Sequence, residues 1–430
     1  MLLATAGCHP GKPMLGLSGH GAADDPRAVE VGRAVMEGGG SAADAAVAMA
    51  LTMAVTLPSR VGLGGGGLCL VHDPATKAVR TLDFLPESTS AGGAPAPGFL
   101  RGLYTLHAAY GLRHWEEALG APESLAGLGT PVSRQLAADL RLGAGRLAAD
   151  AGARRLFLSA DGRPLAEGET LVQTELAATL GLIRQRGIAT FYGGNYGATG
   201  STLAEALAHG LGVDAAALAG LRPRWGDTVA VENDNDMIHF PDRTGAGLAA
   251  AWQAGVAAGD GDWFGAMVGA LGAGTVGAGV VPTASLAVVD PHEQGVACVF
   301  TMGGLFGSGR VVPEAGLLAA GGEASGSGGP VLVVNHHQET TLFAAGASAP
   351  GTGTDSRAGA AAVLAALHLS AIDHRPAADI LAPPPSATAQ PAVPGLVEAV
   401  ACVYDHQQGG KSCGAVADPR GPGVTFTVLK

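Results

Sequence analysis

Residues 283–302 read TASLAVVDPHEQGVACVFTM. Two runs rich in small and β-branched residues, Thr283–Asp290 and Val296–Met302, flank a turn over Pro291–Gly295. The stretch therefore predicts a β-hairpin. An Ala- and Gly-rich lead-in ends at Pro282, and the texture turns to β at Thr283. Taken alone, Thr283 reads as an ordinary β-branched strand residue. Its place at the start of a strand, after a glycine-rich lead-in, gives it a second reading. Cleavage of the Pro282–Thr283 bond would leave a threonine with both a hydroxyl and a free α-amine. Such an amine titrates near neutral pH and can act as base for its own hydroxyl, so no histidine is required.

Upstream, Asp25-Pro26 starts a helix, with Asp as cap and Pro in the first turn. Gly38-Gly39-Gly40 ends it, and Ser41 with Asp44 forms a capping box for a second helix that reaches Pro58. That second helix is apolar nearly all round, which predicts burial. A glycine run, Gly62-Leu63-Gly64-Gly65-Gly66-Gly67, leads into strand-like runs at Leu68–Val71 and Val79–Phe84. Helical periodicity returns at Phe99–Tyr110, Ser133–Leu147 and Leu171–Arg186, whereas Thr228–Gly247 reads as polar and irregular. Downstream, Val331–Asn335 and Leu342–Ala345 suggest a hairpin. Helices are expected over Ser356–Leu369 and Ala377–Leu381, and strands over Val397–Tyr404 and Val424–Val428. Packed α and β layers follow from this order.

Bulk properties exclude several classes. Apolar residues make up 47% of the 430, too many for a disordered chain. The 69 glycines lack a collagen period and imply close packing and tight turns. A net charge of −12 argues against a nucleic-acid partner. No uninterrupted apolar run reaches spanning length. Five scattered cysteines suggest neither a disulfide scaffold nor a zinc cluster. Cys402 and Cys413 flank a turn-like stretch and could face each other across a hairpin, but read first as two unrelated small core residues. Leu2–Cys8 looks like the tail of a lipoprotein signal, yet it lacks a basic region and its apolar stretch is short. The expected compartment is periplasmic or lipid-anchored if the true start lies upstream, and cytoplasmic otherwise.

Gly62, Gly64 and Gly67 fit G-x-G-x-x-G, but a helix precedes them and a strand follows, the reverse of a dinucleotide site. Glu232–Asp236 lacks the glycine and distal glutamate of an EF-hand and reads as a solvated acidic loop. His336-His337 lies in an expected hairpin turn, with no further ligands to suggest a metal. Neither a metal nor a cofactor is expected.

The ordered blocks GRAVMEGGGSAADAAVAMALTMAVTLPSRVGLGGGGLCLVHD, RTLDF, LVQTELAATLGLIRQRG with Phe191-Tyr192-Gly193-Gly194, TASLAVVDPHEQGVACVFTMGGLFGSGRVVP, ASAPGT and GAVADPR resemble the γ-glutamyltransferase (glutathione hydrolase) family of N-terminal-nucleophile hydrolases. The resemblance implies an α+β fold, a four-layer αββα sandwich. Residues 1–282 would be a large-subunit-like region and 283–430 a small-subunit-like region of one composite domain. It also implies self-cleavage at Pro282–Thr283, after which the fragments stay associated. Thr283 would attack a γ-glutamyl or related acyl amide, and water or an amino acid would release the acyl group. Thr301 is similar to a second threonine that hydrogen-bonds the nucleophile. Gly351 falls in the oxyanion hole, and Ser327 matches a serine that contacts the substrate α-carboxylate.

Several positions depart from the family pattern. Leu85 stands where an arginine clamps that carboxylate, and Gly303 replaces an asparagine of the site. Gly326 replaces the first of the paired serines, Thr352 the second oxyanion glycine, and Ala284 and Ser285 a threonine and a histidine. The lead-in is short, and proline is the scissile acyl donor. Two alternatives stay open: a catalytically silent homologue serving as a binding or scaffold protein, and an acylase with a non-glutamyl substrate.

Overall fold

A computed structural model of the chain describes residues 18–88, 94–193, 202–259, 261–273, 282–322, 329–335, 337, 339–349, 357–381, 395–405 and 410–429. Its centre is a pair of stacked antiparallel sheets. The first runs, edge to edge, Val424–Leu429, Ser18–Ala23, Thr283–Val289, Gly295–Thr301, Gly66–Asp73, Ala78–Asp83 and Arg224–Gly226. The second runs Gly410–Ala417, Leu396–Asp405, Thr340–Ser348, Val331–Asn335, Asp236–Pro241 and Thr228–Asn233. Segments from before and after Thr283 contribute strands to both sheets.

Strand alternation sorts the side chains into three cores. Leu286, Val288, Val296, Cys298 and Phe300 face the helices Pro26–Glu37 and Ala42–Thr56. Ala287, Val289 and Ala297, one residue out of step, meet Leu332, Ala344 and Val400 between the sheets. On the far side, Val331, Val333 and Ala399 pack beneath the helices Gly245–Ala258, Trp263–Ala273 and Arg357–Ala371. The four layers are therefore α, β, β and α.

The local signals act as their chemistry requires. Asp25 caps the first helix through Ala28 N. Ser41 and Asp44 form the reciprocal box, and every residue of Ala42–Thr56 is buried. The glycine run lets chains approach backbone to backbone: a Cβ at Gly64, Gly65 or Gly66 would lie 2.0, 2.4 or 2.1 Å from the carbonyl oxygens of Leu318, Thr301 and Phe84.

Three expectations are corrected. Residues 228–247 hold a hairpin, Thr228–Asn233 with Asp236–Pro241, whose Ile238 and Phe240 are buried under helix Gly245–Ala258. The polar tip at Asp234 masks it in the sequence. Ala377–Asp379 is a single 3-10 turn rather than a helix. Cys402 and Cys413 are register partners joined by a disulfide, and Cys69 and Cys298 form a second one between neighbouring strands of the first sheet.

At the end of the Ser18–Ala23 strand remote from Thr283, His20 is buried between Ser18 Oγ at 2.8 Å and Thr427 Oγ1 at 3.1 Å. Burial, with the charge of Lys411, lowers its pKa to about 4. The folded value lies below the unfolded one. This group's stabilisation is thus complete above about pH 6.5 and is lost as pH falls through about 4. The urea midpoint should fall over that window, and His20→Asn should flatten the fall. An unchanged profile in the variant would assign the acid sensitivity to other groups. Gly64→Ala should lower stability by about 1–3 kcal/mol through overpacking against the Leu318 carbonyl, read by equilibrium urea unfolding.

Candidate active site

Thr283 opens its strand directly opposite Thr301, with both side chains buried. Ser285, two residues on, meets Gly346 of the second sheet, so the alternation turns Thr283 and Ser285 into the space between the sheets. Thr283 Oγ1 accepts a hydrogen bond from Ala349 N at 2.9 Å, just past the strand Thr340–Ser348. The hydroxyl is thereby held by a backbone donor of the opposite sheet, with its own proton left to give.

The carbonyl of Pro282 is engaged as well: Thr301 Oγ1 donates to it at 3.2 Å. Gly303 N in turn donates to Thr301 Oγ1 at 3.0 Å, which fixes the hydroxyl's lone pairs and aims its proton at the carbonyl. Gly303 has φ +68, and a Cβ there would lie 2.4 Å from Gly322 O. Glycine is the residue this approach requires, and an asparagine would be strained.

Behind this row lies a buried ionic group. Arg60 binds Asp139 in a fork, Nε to Oδ2 at 2.8 Å and Nη2 to Oδ1 at 3.0 Å, and both side chains are excluded from water. Ser59 Oγ and Gln135 Nε2 complete the acceptor set of Asp139 at 2.7 and 2.8 Å. The remaining Arg60 nitrogen, Nη1, reaches Thr283 O at 3.4 Å and Ala349 O at 3.3 Å. Burial opposes the guanidinium charge, but the hydrogen bonds and charge of Asp139 hold its pKa above the ordinary value. Arg60 thus bonds the backbone of the same two residues whose contact sets the Thr283 hydroxyl.

A second group sits at the joint after Ser18–Ala23. Asp24 accepts from Ser285 N at 2.6 Å and from Ser348 Oγ at 3.1 Å, and Glu398 accepts from Ser285 Oγ at 3.3 Å. Burial pushes both carboxyls up. The rise is larger for Glu398, which also faces the negative charges of Asp24 and Asp418.

The row Thr283–Thr301–Gly66 leads towards Leu85, whose neighbour Phe84 is bonded to Gly67. Three strand spacings place Leu85 roughly 14 Å from Thr283. Leu85 is buried. Near it, Asp83 binds Arg224 at 2.9 Å and Arg243 at 2.8 Å, and Glu87 pairs with the same two arginines. That cluster is balanced, two charges against two.

Of the residues singled out in the sequence, the structure brings Pro282, Thr283, Thr301 and Gly303 together. Ser327, Gly351 and Thr352 lie outside the described residues, as does Gly326. His337 is exposed in its turn, while His336 is not among the described residues. No group of three or more His, Cys, Asp or Glu able to hold a metal occurs among the described residues. Sequence reasoning missed Arg60, Asp139, Asp24, Ser348 and Glu398. The signal available was a charge inside an apolar run, as in Pro58-Ser-Arg60-Val61 and Leu396-Val-Glu398-Ala399-Val400.

Comparison with known proteins follows the same lines. The family described as gamma-glutamyltranspeptidase matches residues 28–254, a span that ends before Thr283. The glutathione hydrolase proenzyme of Bacillus subtilis (strain 168) is 34% identical over 208 residues, 43% of this chain and 35% of that protein. Glutathione hydrolase 7 of Homo sapiens is 32% identical over 203 residues, 43% of this chain and 30% of its own. The chain thus matches about a third of the length of these relatives. Among solved structures, the cephalosporin acylase of Bacillus halodurans superposes over 99% of both chains with a TM-score of 0.72 at 16% identity, a likeness of fold.

Asp139→Ala would leave the Arg60 charge buried without its partner. It should cost about 3–5 kcal/mol of stability. Chemical denaturation of the purified variant measures this, and a cost under about 1 kcal/mol would show the pair to be hydrated in solution.

Proposed function

Because the chain belongs to the gamma-glutamyltranspeptidase family, we propose that it is an amidohydrolase or acyltransferase that cleaves itself before Thr283 and then uses Thr283 as nucleophile. The observation that carries this reading is the pairing of Thr283 and Thr301 with the Pro282 carbonyl. One hydroxyl is adjacent to the bond to be broken, and the other donates to its oxygen.

In the first reaction Thr283 Oγ attacks the Pro282 carbonyl carbon and loses its proton. The negative charge that develops on Pro282 O meets the Thr301 hydroxyl, an oxyanion donor already in place. Collapse breaks the C–N bond and passes a proton to the nitrogen, leaving an ester between Pro282 and Thr283 Oγ. Water hydrolyses the ester, releasing the Pro282 carboxylate and restoring the Thr283 hydroxyl beside its α-amine. The fragments 1–282 and 283–430 stay together, because each supplies strands to both sheets. In turnover the α-amine takes the hydroxyl proton as Oγ attacks a substrate amide. An acyl-enzyme forms, the protonated amine departs, and water or an amino acid accepts the acyl group.

The acyl group is γ-glutamyl or a related chain. A non-glutamyl acyl group is the second reading, favoured by one observation: the place of the carboxylate clamp is filled by buried Leu85, and the arginines nearby are matched by Asp83 and Glu87. Loss of one charged hydrogen bond weakens binding by about 1.5–3 kcal/mol. Two disulfides support a proposed location in an oxidising compartment such as the periplasm.

Intact mass after incubation at neutral pH should give two fragments divided between Pro282 and Thr283. Thr283→Ala should give one full-length mass and lose amidase activity by roughly a thousandfold or more. A persistent single mass for the unaltered chain, with no turnover of γ-glutamyl or uncharged acyl anilides, would make it a silent homologue.

A further inference from the structure

Asp24 and Glu398 take no part in the reaction above, yet both are buried beside it. Asp24 bonds Ser285 twice through Oδ2, to N at 2.6 Å and to Oγ at 3.3 Å, and its own N donates to Ser285 O at 3.4 Å. Its other oxygen accepts from Ser348 Oγ at 3.1 Å. Ser285 lies two residues after Thr283 in the first sheet, and Ser348 directly precedes Ala349 in the second. One carboxyl group therefore spans the two sheets at the positions flanking the Thr283 Oγ1 to Ala349 N contact. Glu398, on the second sheet, accepts from the same Ser285 hydroxyl and hydrogen-bonds Asp24.

We propose that Asp24, backed by the Glu398 carboxyl, is a positioning residue that holds Thr283 Oγ1 against the Ala349 N–H. The proposal rests on the reading of Thr283 as nucleophile. It assigns no substrate contact to Asp24 or Glu398.

Two carboxyls this close cannot both ionise without repulsion. The charged groups facing them decide which keeps the proton. Asp24 faces Arg60, which favours its ionised form. Glu398 faces Asp24 and Asp418, both of which oppose ionisation. Asp418 is itself bound by Arg420, Arg60 is held by Asp139, and Asp25 turns away to cap the first helix. Of the two, Glu398 is pushed further up and holds a proton more tightly, while Arg60 favours the ionised form of Asp24. Gly423 makes room for this arrangement: a Cβ there would lie 2.2 Å from Glu398 Oε1. When Glu398 ionises at high pH, the two charges repel across Ser285 and the tie between the sheets loosens.

The test uses the full chain and two readouts: the self-cleavage rate by intact mass, and hydrogen exchange of the Ala349 amide. Asp24→Ala should slow self-cleavage by about tenfold to a hundredfold, the loss expected of a hydrogen bond to a charged group. It should also speed Ala349 exchange, and Asp24→Asn should restore part of both. Glu398→Gln cannot ionise, so the ratio of wild-type to Glu398→Gln cleavage rates should fall as pH rises. A folded Asp24→Ala variant with wild-type cleavage and exchange would overturn the proposal. Should Asp24→Ala not fold, a ratio independent of pH would overturn it instead. If the unaltered chain does not cleave, the proposed function fails, and Ala349 exchange still decides the positioning role: faster in Asp24→Asn supports it, unchanged refutes it.

Discussion

A guanidinium excluded from water must have every donor answered, and at Arg60 the answers come from three separate parts of the chain. Asp139, on the helix Arg134–Ala148, takes two of its nitrogens. The third reaches the carbonyls of Thr283 and Ala349. The charge is tolerated only while helix and both sheets keep their places, so its burial penalty acts as a constraint on the alignment of all three. The helix, the start of the Thr283 strand and the end of the opposing strand are thereby registered on one planar group. The Thr283–Ala349 contact inherits that register, and the Asp24 side chain ties the same two strands through Ser285 and Ser348.

Within this frame the chemistry divides between backbone and hydroxyl groups. Ala349 N–H fixes Thr283 Oγ1, Thr301 aims at the Pro282 carbonyl, and Gly303 N–H aims Thr301. No histidine is among these contacts. The positive φ of Gly303 and its approach to Gly322 show the backbone bent to deliver a donor where a side chain would not fit. Sheet pairing then does what a rotamer would otherwise have to do: Thr283 and Thr301 meet because they are register partners.

Much of this was legible in the sequence wherever a signal was local. The Ser41–Asp44 box, the Asp25 cap and the hairpin of residues 283–302 each state their structure within a few residues, and each forms. The order of such elements implied packed α and β layers, and the four-layer αββα arrangement came from the resemblance to the family. Residues 228–247 failed because the polar turn at Asp234 outweighed two buried positions, Ile238 and Phe240, whose burial depends on a helix later in the chain. Cys402 and Cys413 were read apart because the second strand of their hairpin, Gly410–Ala417, is too small and polar to announce itself. Arg60, Asp139, Asp24 and Glu398 were missed for a related reason. Each is separated in sequence from the partners that neutralise it, by 79 residues for Asp139 and Arg60. A charge in an apolar run says only that a partner exists.

The same geometry sets the threonine pair apart from Leu85. Thr283, Thr301 and Gly66 follow one another along a row of the first sheet, and Leu85 lies a further strand away. The Thr283 end is locked by buried bonds to Arg60 and Asp24, whose loss would leave charges or donors unanswered. The far end holds buried Leu85 and the pairing of Asp83 and Glu87 with Arg224 and Arg243, in which the Asp83 carboxylate is itself buried. Both ends therefore resist substitution, because at each a buried carboxylate would be left without the arginine that answers it. The row thus runs between two arginine–carboxylate groups whose carboxylates are buried, one behind Thr283 and one beside Leu85.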